Sequence, residues 1–263
     1  MTEAPFVSVY VMTYNQRDKV VDLARDLADQ DHPADRYEFV VLVDGSTDGT
    51  AEALDDLVGE LPYRLVVLRR EHEADYLCSK RRNECVAAAD PGTDVFVHVD
   101  DIRVRPDFVR LHAEHHAAGD LKIVTGAQST GEELNWDFEK CQRRHLAGPN
   151  GEARATHHWM AMWGCSYSYP RRLSDLLNDG EFDKPFDERM TDWGGHESEF
   201  AYRAYSAGAQ LVYDPAVGVF HQDHTETRDA ARGLDYDERV RAGSEKNMAY
   251  IVAKHGLAEL DRW

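Results

Sequence analysis

Cysteines, basic residues and long apolar runs are scarce in this sequence, and each shortage excludes a class of protein. The four cysteines show no Cys-x-x-Cys pairing, so we expect reduced, mostly buried thiols. Lysines and arginines number 30 against 49 acidic residues, for a net charge of −19. This argues against a nucleic-acid partner, because no basic excess exists to neutralise phosphates. No apolar run approaches the roughly 18 residues of a spanning helix, and the first residues form no signal peptide, so we expect a cytoplasmic protein without a membrane span.

Strand and helix patterns alternate through the first half of the chain, whose 42% hydrophobic content argues against disorder. Apolar runs predict strands at 6–12, 37–43, 64–68, 95–99 and 122–126. Helical spacing of apolar residues predicts a helix capped by Asn15 and further helices at 47–61, 79–89 and 106–118. The alternation predicts an α/β protein with a parallel sheet, helices on both faces and a nucleotide-binding type of architecture.

The strand predicted at 95–99 ends on two adjacent carboxylates, Asp100 and Asp101. Open α/β sheets bind ligands at the carboxyl ends of their strands, and paired acids there are costly unless a cation or hydrogen-bond donors lie beside them. One interpretation is a divalent metal that holds a phosphorylated substrate. The alternative is that the two acids only begin a turn and cap the helix entered at Pro106.

Two other predicted strand ends also carry polar side chains. Thr13, Tyr14 and Asn15 follow the first strand, and Asp44 begins an Asp-Gly-Ser-Thr-Asp-Gly turn after the second. Turn chemistry would explain each segment taken alone. Three strand ends that bring acceptors and an aromatic ring to one edge of a parallel sheet are better explained by a bound nucleotide.

Four ordered segments resemble the glycosyltransferase family 2 group. They are Val-Ser-Val-Tyr-Val-Met-Thr-Tyr-Asn at 7–15, Val-Val-Leu-Val-Asp-Gly-Ser-Thr-Asp at 40–48, Ser-Lys-Arg-Arg-Asn-Glu-Cys-Val-Ala-Ala-Ala at 79–89 and Val-Asp-Asp at 99–101. The resemblance covers about residues 6–224. It implies the GT-A fold, an α/β fold with a mixed, mainly parallel central sheet flanked by helices. We expect one domain over 1–263, with a nucleotide-binding half at 1–126, an acceptor and catalytic half at 127–224 and a helical tail at 225–263.

The resemblance also implies roles for the strand-end residues. Tyr14 and Asp44 match the positions that contact a uracil base, with Thr13 and Asn15 beside them, and Arg82 matches an arginine near the nucleotide. In the Asp-x-Asp region, Asp101 matches the acid that binds the metal bridging the diphosphate, and Asp100 the neighbour that faces the ribose. The implied donor is a UDP-sugar and the implied cofactor is Mn²⁺ or Mg²⁺. Val43 and Val99 stand where many members of the family have a further acid.

One stretch dominates the second half: Phe-Asp-Glu-Arg-Met-Thr-Asp-Trp-Gly-Gly-His-Glu-Ser-Glu-Phe at 186–200. It leads into a helix, and Gly194 and Gly195 would let the backbone approach a ligand closely. Glu197 then stands in the first helical turn, where the partial positive charge favours an anion. The alternative interpretation is an ordinary acidic helix start.

This stretch resembles the family motif Trp-Gly-Gly-Glu-Asp-x-Glu-Phe, whose second acid is the catalytic base of inverting members. Matching the positions places the base at Glu197 and puts His196 where the family usually has glutamate. Trp193 and the two glycines fall in the region that faces the donor sugar and the acceptor. Glutamate in place of aspartate lengthens the base by one methylene, so Asp192 and Glu199 are kept as reserve candidates.

A second apolar run, at 217–220, delivers His221 at its end, where the family commonly places a further metal ligand. A histidine and a carboxylate together suit Mn²⁺ better than Ca²⁺. The alternative is a purely structural histidine. The resemblance then implies an inverting glycosyltransferase, with a nucleotidyltransferase of similar topology or a catalytically inactive nucleotide-sugar-binding module as alternatives.

Several residues outside these motifs carry weaker expectations. The spacing of His112, His115 and His116 predicts the solvated face of a helix rather than a zinc site. His157 and His158 are expected to line the acceptor site. Trp136 and Trp159 flank an irregular stretch at 127–158, where their rings could stack on a sugar or belong to the core.

The tail contains a local cluster of cations in an otherwise acidic chain. These are Arg228, Arg232, Arg239, Arg241 and Lys246, and residues 236–254 have helical character. Some of these cations could close over the diphosphate as a lid, and a merely solvated helix is equally compatible with the pattern.

Overall fold

A computed structural model describes residues 3–73, 76–131, 133–138, 144–162, 164–177, 184–222 and 236–257. The strands are β1 (Val7–Thr13), β2 (Tyr37–Asp44), β3 (Arg64–Arg70), β4 (Val95–Val99), β5 (Ile102–Arg103), β6 (Lys122–Thr125), β7 (Gln128–Gly131), β8 (Arg154–Thr156), β9 (Ser166–Pro170), β10 (Gln210–Tyr213) and β11 (Val219–Gln222). The α-helices are α1 (Arg17–Ala28), α2 (Thr50–Asp55), α3 (Cys78–Ala88), α4 (Phe108–His116), α5 (Arg171–Leu177), α6 (His196–Ser206) and α7 (Tyr236–His255).

The main sheet has the strand order β3-β2-β1-β4-β9-β6-β10-β8. Strands β3, β2, β1 and β4 are parallel, as are β6 and β10. Strand β9 lies between β4 and β6 and is antiparallel to both, and β8 is antiparallel to β10. The prediction of an α/β fold with a mainly parallel central sheet is confirmed, and its mixed character comes from β8 and β9.

Most predicted elements of the first half match the structure within two residues. The helix predicted at 47–61 is shorter in the structure, where α2 spans Thr50–Asp55. It begins only after Gly49, which has a φ of 83°. Beyond Asp55 the backbone continues in tight turns, with Val58 N bonded to Asp55 O at 3.1 Å. Short i to i+3 bonds of this kind end an α-helix rather than extend it.

A second, three-stranded sheet has the order β5-β11-β7. Strand β11 is antiparallel to β5, with His221 opposite Ile102, and parallel to β7. Ile102 directly follows Asp101 in the chain. The pairing therefore carries His221 to the acids at the end of β4, across a large distance in sequence.

Alternation along the strands builds a core on each face of the main sheet, since successive side chains of a strand point to opposite faces. One core joins apolar residues of the sheet to α1 and α4, and includes Val9, Phe39, Leu23 and Phe108. The other joins the opposite faces of the same strands to α3, α5 and α6, and includes Tyr10, Val40, Phe96, Cys85, Leu173 and Phe200. Cys78 and Cys85 are buried thiols, and Cys165 is a half-buried thiol that donates to Gln128 Oε1 at 3.2 Å; Cys141 lies outside the described residues.

The histidines of α4 correct one sequence-based prediction. His112 and His116 are buried, with 0% and 6% of their surface exposed. His112 Nδ1 and His116 Nε2 lie 2.8 and 2.9 Å from the Ser168 hydroxyl on β9, and His115 Nε2 lies 2.7 Å from a carboxylate oxygen of Asp214. The prediction of a solvated face was wrong, because a polar strand in the middle of the sheet supplies partners inside the protein.

The helical tail forms α7, in agreement with the pattern at 236–254. Its residue Ile251 is fully buried. Lys254 Nζ lies 2.8 Å from Oδ2 of Asp187, which precedes α6, and also contacts Glu199 in the first turn of α6. Helix α7 is therefore packed against the protein through both apolar and charged contacts.

Within the described residues, no helix combines the length and the apolar character needed to cross a bilayer. The cytoplasmic location and the division of the domain into halves and a tail stay predictions.

Candidate active site

The predicted strand-end residues meet at one edge of the main sheet. Strands β2, β1 and β4 are adjacent and parallel, and Thr13 at the end of β1 is paired with Val43 near the end of β2. The chain therefore leaves all three strands on the same side, which brings together the turns that begin at Thr13, Asp44 and Asp100. This edge is where doubly wound sheets bind ligands.

At one end of the cleft, Tyr14 and Asp44 lie beside two residues that the sequence patterns did not single out. The Tyr14 ring is 46% exposed and is stacked on the His72 ring, with centroids 4.2 Å apart. Arg81 Nε donates to Asp44 Oδ1 at 2.6 Å, and His72 Nδ1 lies 3.3 Å from Asp44 Oδ2. Gly45 has a φ of +71°, and a Cβ there would lie 2.5 Å from the His72 backbone nitrogen. A nucleobase at this end would thus meet a ring, a carboxylate and their two basic neighbours.

Asn15 ties the first strand-end turn to the second. Its φ of 51° is in the left-handed region, which asparagine tolerates better than most residues. Its side-chain oxygen accepts from Thr47 N at 2.8 Å, and its own backbone N–H donates to Ser46 Oγ at 3.0 Å. Thr13 is buried, and its hydroxyl has no hydrogen-bond partner among the described residues. Asn15 thus holds the turns after β1 and β2 together, and a nucleotide-binding role for Thr13 and Asn15 stays a prediction.

In the middle of the cleft, Asp101 lies against two cationic or potentially cationic groups. His221 Nε2 is 3.0 Å from Asp101 Oδ1, and Lys19 Nζ is 2.7 Å from Asp101 Oδ2. Burial alone would raise the pKa of Asp101, but the bonds from His221 and Lys19 outweigh it and lower the pKa to about 2. Burial lowers the pKa of His221, and the Asp101 carboxylate outweighs it and raises that pKa. Desolvation by the surrounding protein atoms and the neighbouring Asp101 charge raise the pKa of Asp100 to about 7, although part of the residue is open to solvent.

The pair formed by Asp101 and His221 was tested as a cation site. Among the described residues, no three His, Cys, Asp or Glu side chains are grouped to hold a metal ion. Mg²⁺ and similar ions, however, are usually bound by one or two protein ligands and completed by substrate phosphates and water, at about 2.1 Å in octahedral geometry. Asp101 Oδ1 and His221 Nε2 pair directly at 3.0 Å, so an ion bound here would replace this contact and keep both side chains as ligands. The donor set therefore fits an ion that a diphosphate completes.

On the other side of the cleft, the Glu197 carboxylate contacts the Arg82 guanidinium. Arg82 is 3% exposed and its Nη2 also lies 3.3 Å from His98 Nε2. Burial would raise the pKa of Glu197, but the Arg82 charge outweighs it and lowers that pKa. A Cβ on Gly164 would lie 2.8 Å from Glu197 Oε1, so a side chain there would displace the carboxylate. Glu197 is thus held ionised and in one place.

The loop before Glu197 is fixed by an unusual histidine. Gly194 and Gly195 have φ values of +85° and +81°, which glycine adopts at little cost. His196 Nε2 lies 2.8 Å from the Asp192 carbonyl oxygen, and its Nδ1 lies 2.8 Å from the Ser79 hydroxyl on α3. Because a carbonyl only accepts, Nε2 carries the proton and Nδ1 accepts from Ser79. Burial lowers the pKa of His196, in keeping with this neutral form.

Helix α7 also holds the loop that precedes Glu197, through the side chain of Asn247. Asn247 is 3% exposed, and its Nδ2 donates to the carbonyl oxygens of Asp192 and Gly194, each at 2.7 Å. Sequence patterns gave no signal for Asn247, since it lies 55 residues from Asp192 in the chain. Trp193, between the two anchored carbonyls, has 41% of its surface exposed at the mouth of the cleft.

The two reserve bases differ from Glu197. Glu199 is 1% exposed and pairs with Arg203, Lys254 and His255, contacts that, against the effect of burial, lower its pKa to about 2. The Asp192 carboxylate pairs with Lys246. Glu199 therefore belongs to the charged contacts that hold α7. The Asp192 carboxylate is paired with a residue of that same helix rather than with groups beside the acids at the end of β4.

The remaining predicted residues contact other groups of the protein. The Trp159 ring packs on Tyr202, with centroids 5.3 Å apart, and His157 Nδ1 lies 3.4 Å from the Tyr205 hydroxyl. Trp136 lies edge-on to Phe220 and lines a pocket of about 320 Å³. An acceptor role for these groups stays a prediction. Of the tail cations, Lys246 pairs with Asp192 and Arg241 is exposed, while Arg228, Arg232 and the Arg239 side chain lie outside the description.

The architecture of the main sheet and its flanking helices is that of the GT-A glycosyltransferases. The Staphylococcus aureus protein TarS, residues 1–349, solved with UDP-GlcNAc, superposes with a TM-score of 0.71 at 18% identity, over 97% of this chain and 68% of that one. The mannosyltransferase PcManGT from Pyrobaculum calidifontis, solved with GDP-Man and Mn²⁺, gives a TM-score of 0.65 at 19% identity, over 98% and 77%. These similarities establish the GT-A fold for this chain.

Residues 8–176 match the Glycosyl transferase family 2 model, and the chain belongs to that family. Validoxylamine A glucosyltransferase of Streptomyces hygroscopicus subsp. limoneus is 24% identical over 256 residues, which are 87% of this chain and 54% of that protein. Beta-monoglucosyldiacylglycerol synthase of a Nostoc species is 37% identical over 268 residues, 94% of this chain and 54% of that protein. The chain thus spans about half the length of the curated relatives it matches.

Proposed function

We propose that this chain is an inverting glycosyltransferase that moves a sugar from a UDP-sugar to an acceptor hydroxyl, with a divalent metal, Mn²⁺ or Mg²⁺, on the diphosphate. The observation that carries the proposal is the 3.0 Å approach of His221 to Asp101 at the ligand-binding edge of the sheet. A carboxylate and an imidazole that lie together suit a divalent cation that a diphosphate completes.

The donor would lie along the ends of β1, β2 and β4. Tyr14 and Asp44 would contact the uracil, with Thr13 and Asn15 shaping the floor, and Asp100 would face the ribose. Asp101 and His221 would hold the metal, which supplies positive charge to neutralise the departing diphosphate. The UDP preference rests on the match of Tyr14 and Asp44 to the base-contacting positions of the family.

Glu197 would act as the general base. It removes the proton from the acceptor hydroxyl, the oxygen forms a bond to the anomeric carbon, and the bond from that carbon to the phosphate oxygen breaks, with the pair of electrons leaving on UDP. The low pKa of Glu197 keeps it ionised near neutral pH, so it is ready to accept that proton. Arg82 would hold the base, and Trp193, Gly194, Gly195 and His196 would form the wall beside the transferred sugar and the acceptor.

The test is a panel of UDP- and GDP-sugars incubated with the protein and Mn²⁺. Because two similar proteins are named as glucosyl-transferring enzymes, UDP-glucose is the first donor to examine. We expect UDP release by slow transfer to water, UDP binding tighter than GDP binding, and a product of inverted anomeric configuration by NMR. Pyrophosphate release from a nucleoside triphosphate would instead indicate a nucleotidyltransferase, and metal-dependent binding without turnover an inactive binding module.

A further inference from the structure

Lys19 joins the first turn of α1 to the acids at the end of β4. Its ammonium nitrogen lies 2.7 Å from Asp101 Oδ2, and the two side chains are only 16% and 15% exposed. The two residues are 82 positions apart in the chain. The opposite oxygen of the same carboxylate, Oδ1, is the one that faces His221.

The other cations of α1 behave differently. The side chains of Arg17 and Arg25 are 49% and 66% exposed and pair with neighbours on their own helix, Asp18 and Asp22. Such exposed pairs contribute little to stability. Removing an ammonium group from water costs free energy unless its new contacts compensate for the lost hydration. Lys19 is therefore directed into the cleft, whereas its helical neighbours face solvent.

The two carboxylate oxygens of Asp101 face different groups: Oδ1 faces His221, and Oδ2 faces Lys19. On the proposed function, a divalent ion would lie on the side of Oδ1 and His221, and Lys19 remains on the side of Oδ2. A lysine ammonium carries three N–H donors. A single bond to Asp101 leaves donors for phosphate oxygens that lie over the acids.

We propose that Lys19 is a second, protein-borne cation of the diphosphate site, which binds the donor phosphates directly and lets the nucleotide bind without a divalent metal. The proposal rests on the proposed function and deepens it. Since Lys19 places a positive charge next to Asp101, it also weakens the binding of a divalent ion to the same carboxylate.

The test compares UDP binding by calorimetry in EDTA and in Mn²⁺ for the wild type, Lys19→Met, Lys19→Arg and the matched surface control Arg17→Met. In EDTA we expect the wild type, Lys19→Arg and Arg17→Met to bind UDP, and Lys19→Met to bind at least tenfold more weakly. In Mn²⁺ we expect Lys19→Met to retain UDP binding. Its affinity for Mn²⁺ alone, followed by electron paramagnetic resonance, should rise several-fold.

A further measurement needs no variant, in case Lys19→Met fails to fold. In EDTA the wild type should bind UDP at least tenfold more tightly than uridine, because only UDP offers phosphates to Lys19. Equal binding of UDP and uridine, or full UDP affinity in folded Lys19→Met, would overturn the role of Lys19 while the glycosyltransferase proposal stands. If UDP fails to bind with and without Mn²⁺, the proposed function itself fails.

Discussion

The carboxylate of Glu197 contacts the buried guanidinium of Arg82, a residue 115 positions earlier in the chain. The contact joins α3, in the part of the chain predicted to bind the nucleotide, to α6, in the part predicted to bind the acceptor. It keeps the carboxylate ionised and restricts its position, which a proposed base needs before the acceptor arrives. It also makes Glu197 a weaker base than a free glutamate, so its proton transfer depends on a well-placed acceptor.

Replacing Glu197 with glutamine should lower turnover by roughly 100-fold or more, because an amide cannot take the acceptor proton. UDP affinity should stay close to that of the wild type, since the amide oxygen can still accept from Arg82. Steady-state kinetics and calorimetry on the same preparation separate the two effects. The matched control is Glu199→Gln, two residues later, which should lower the melting temperature instead. Full activity of Glu197→Gln together with an inactive Asp192→Asn would move the base to Asp192.

Replacing Asp101 with asparagine should abolish the part of UDP binding that depends on Mn²⁺, because a hard cation loses its charged oxygen ligand. His221→Gln should weaken the same part by a smaller factor, since it removes a neutral donor. Calorimetric titrations of UDP with and without Mn²⁺ measure both effects. Asp18→Asn, on an 83% exposed side chain of α1, is the control and should change nothing. A Mn²⁺ effect of wild-type size in Asp101→Asn would rule out this carboxylate as the ligand.

Mild acid should destabilise the protein through the buried histidines of α4. Burial and the neighbouring histidine lower the pKa of His112, and burial and nearby positive charge lower that of His116 to about 3. In the unfolded chain these two histidines become protonated below about pH 6.5, whereas in the folded protein they stay neutral. Stability is therefore full above that pH and falls as the pH drops, by up to about 1.4 kcal/mol per pH unit for each group.

Urea unfolding at pH 7.5, 6.5 and 5.5 measures this dependence. His116→Gln keeps a donor for Ser168 and should flatten the curve, while His157→Gln, on an exposed residue, should leave it unchanged. If the wild type and His116→Gln lose the same free energy between pH 6.5 and 5.5, the buried histidine is not the source.

Replacing Lys254 with methionine should lower the free energy of unfolding by up to roughly 3 kcal/mol, because it removes a largely buried cation from two buried carboxylates, which keep Arg189, Arg203 and His255 as partners. Its partners Asp187 and Glu199 have side chains only 1% exposed. Lys246→Met removes a pair in which the lysine is 70% exposed, so its cost should be below about 1 kcal/mol. Chemical denaturation compares the two. Similar costs for both variants would show that α7 is held by its apolar contacts alone.

Local patterns were enough to predict the first half of the fold. The buried strands 37–44 and 95–99 are nearly continuous apolar runs, and the residues directly after them fall on one edge because the strands are parallel. The position of Asp100, Asp101 and Asp44 followed from that alone. The approach of His221 to Asp101 came from the resemblance, since it depends on the pairing of β11 with β5.

What could not be predicted depends on contacts between distant segments. His72 lies 28 residues from Asp44, and Lys19 lies 82 residues from Asp101, and neither pair leaves a periodic signal in the sequence. The histidines of α4 were misread for the same reason. Their partner Ser168 is on β9, a strand with the alternating polar sequence Ser-Tyr-Ser-Tyr, and no local pattern shows that such a strand enters the centre of the sheet.

The position of β9 also has a consequence for how the chain folds as it is made. Strands β4 and β6 leave the ribosome before residues 166–170, yet the only strand that both of them pair with is β9, within the described residues. Until that segment is synthesised, one edge of the fully buried apolar strand β4 has no strand beside it. Unpaired apolar edges are sites of aggregation, and contacts that must wait for distant segments form slowly. Nascent chains that stop shortly before residue 166 should therefore need chaperone protection, which chains extended past β10 no longer require.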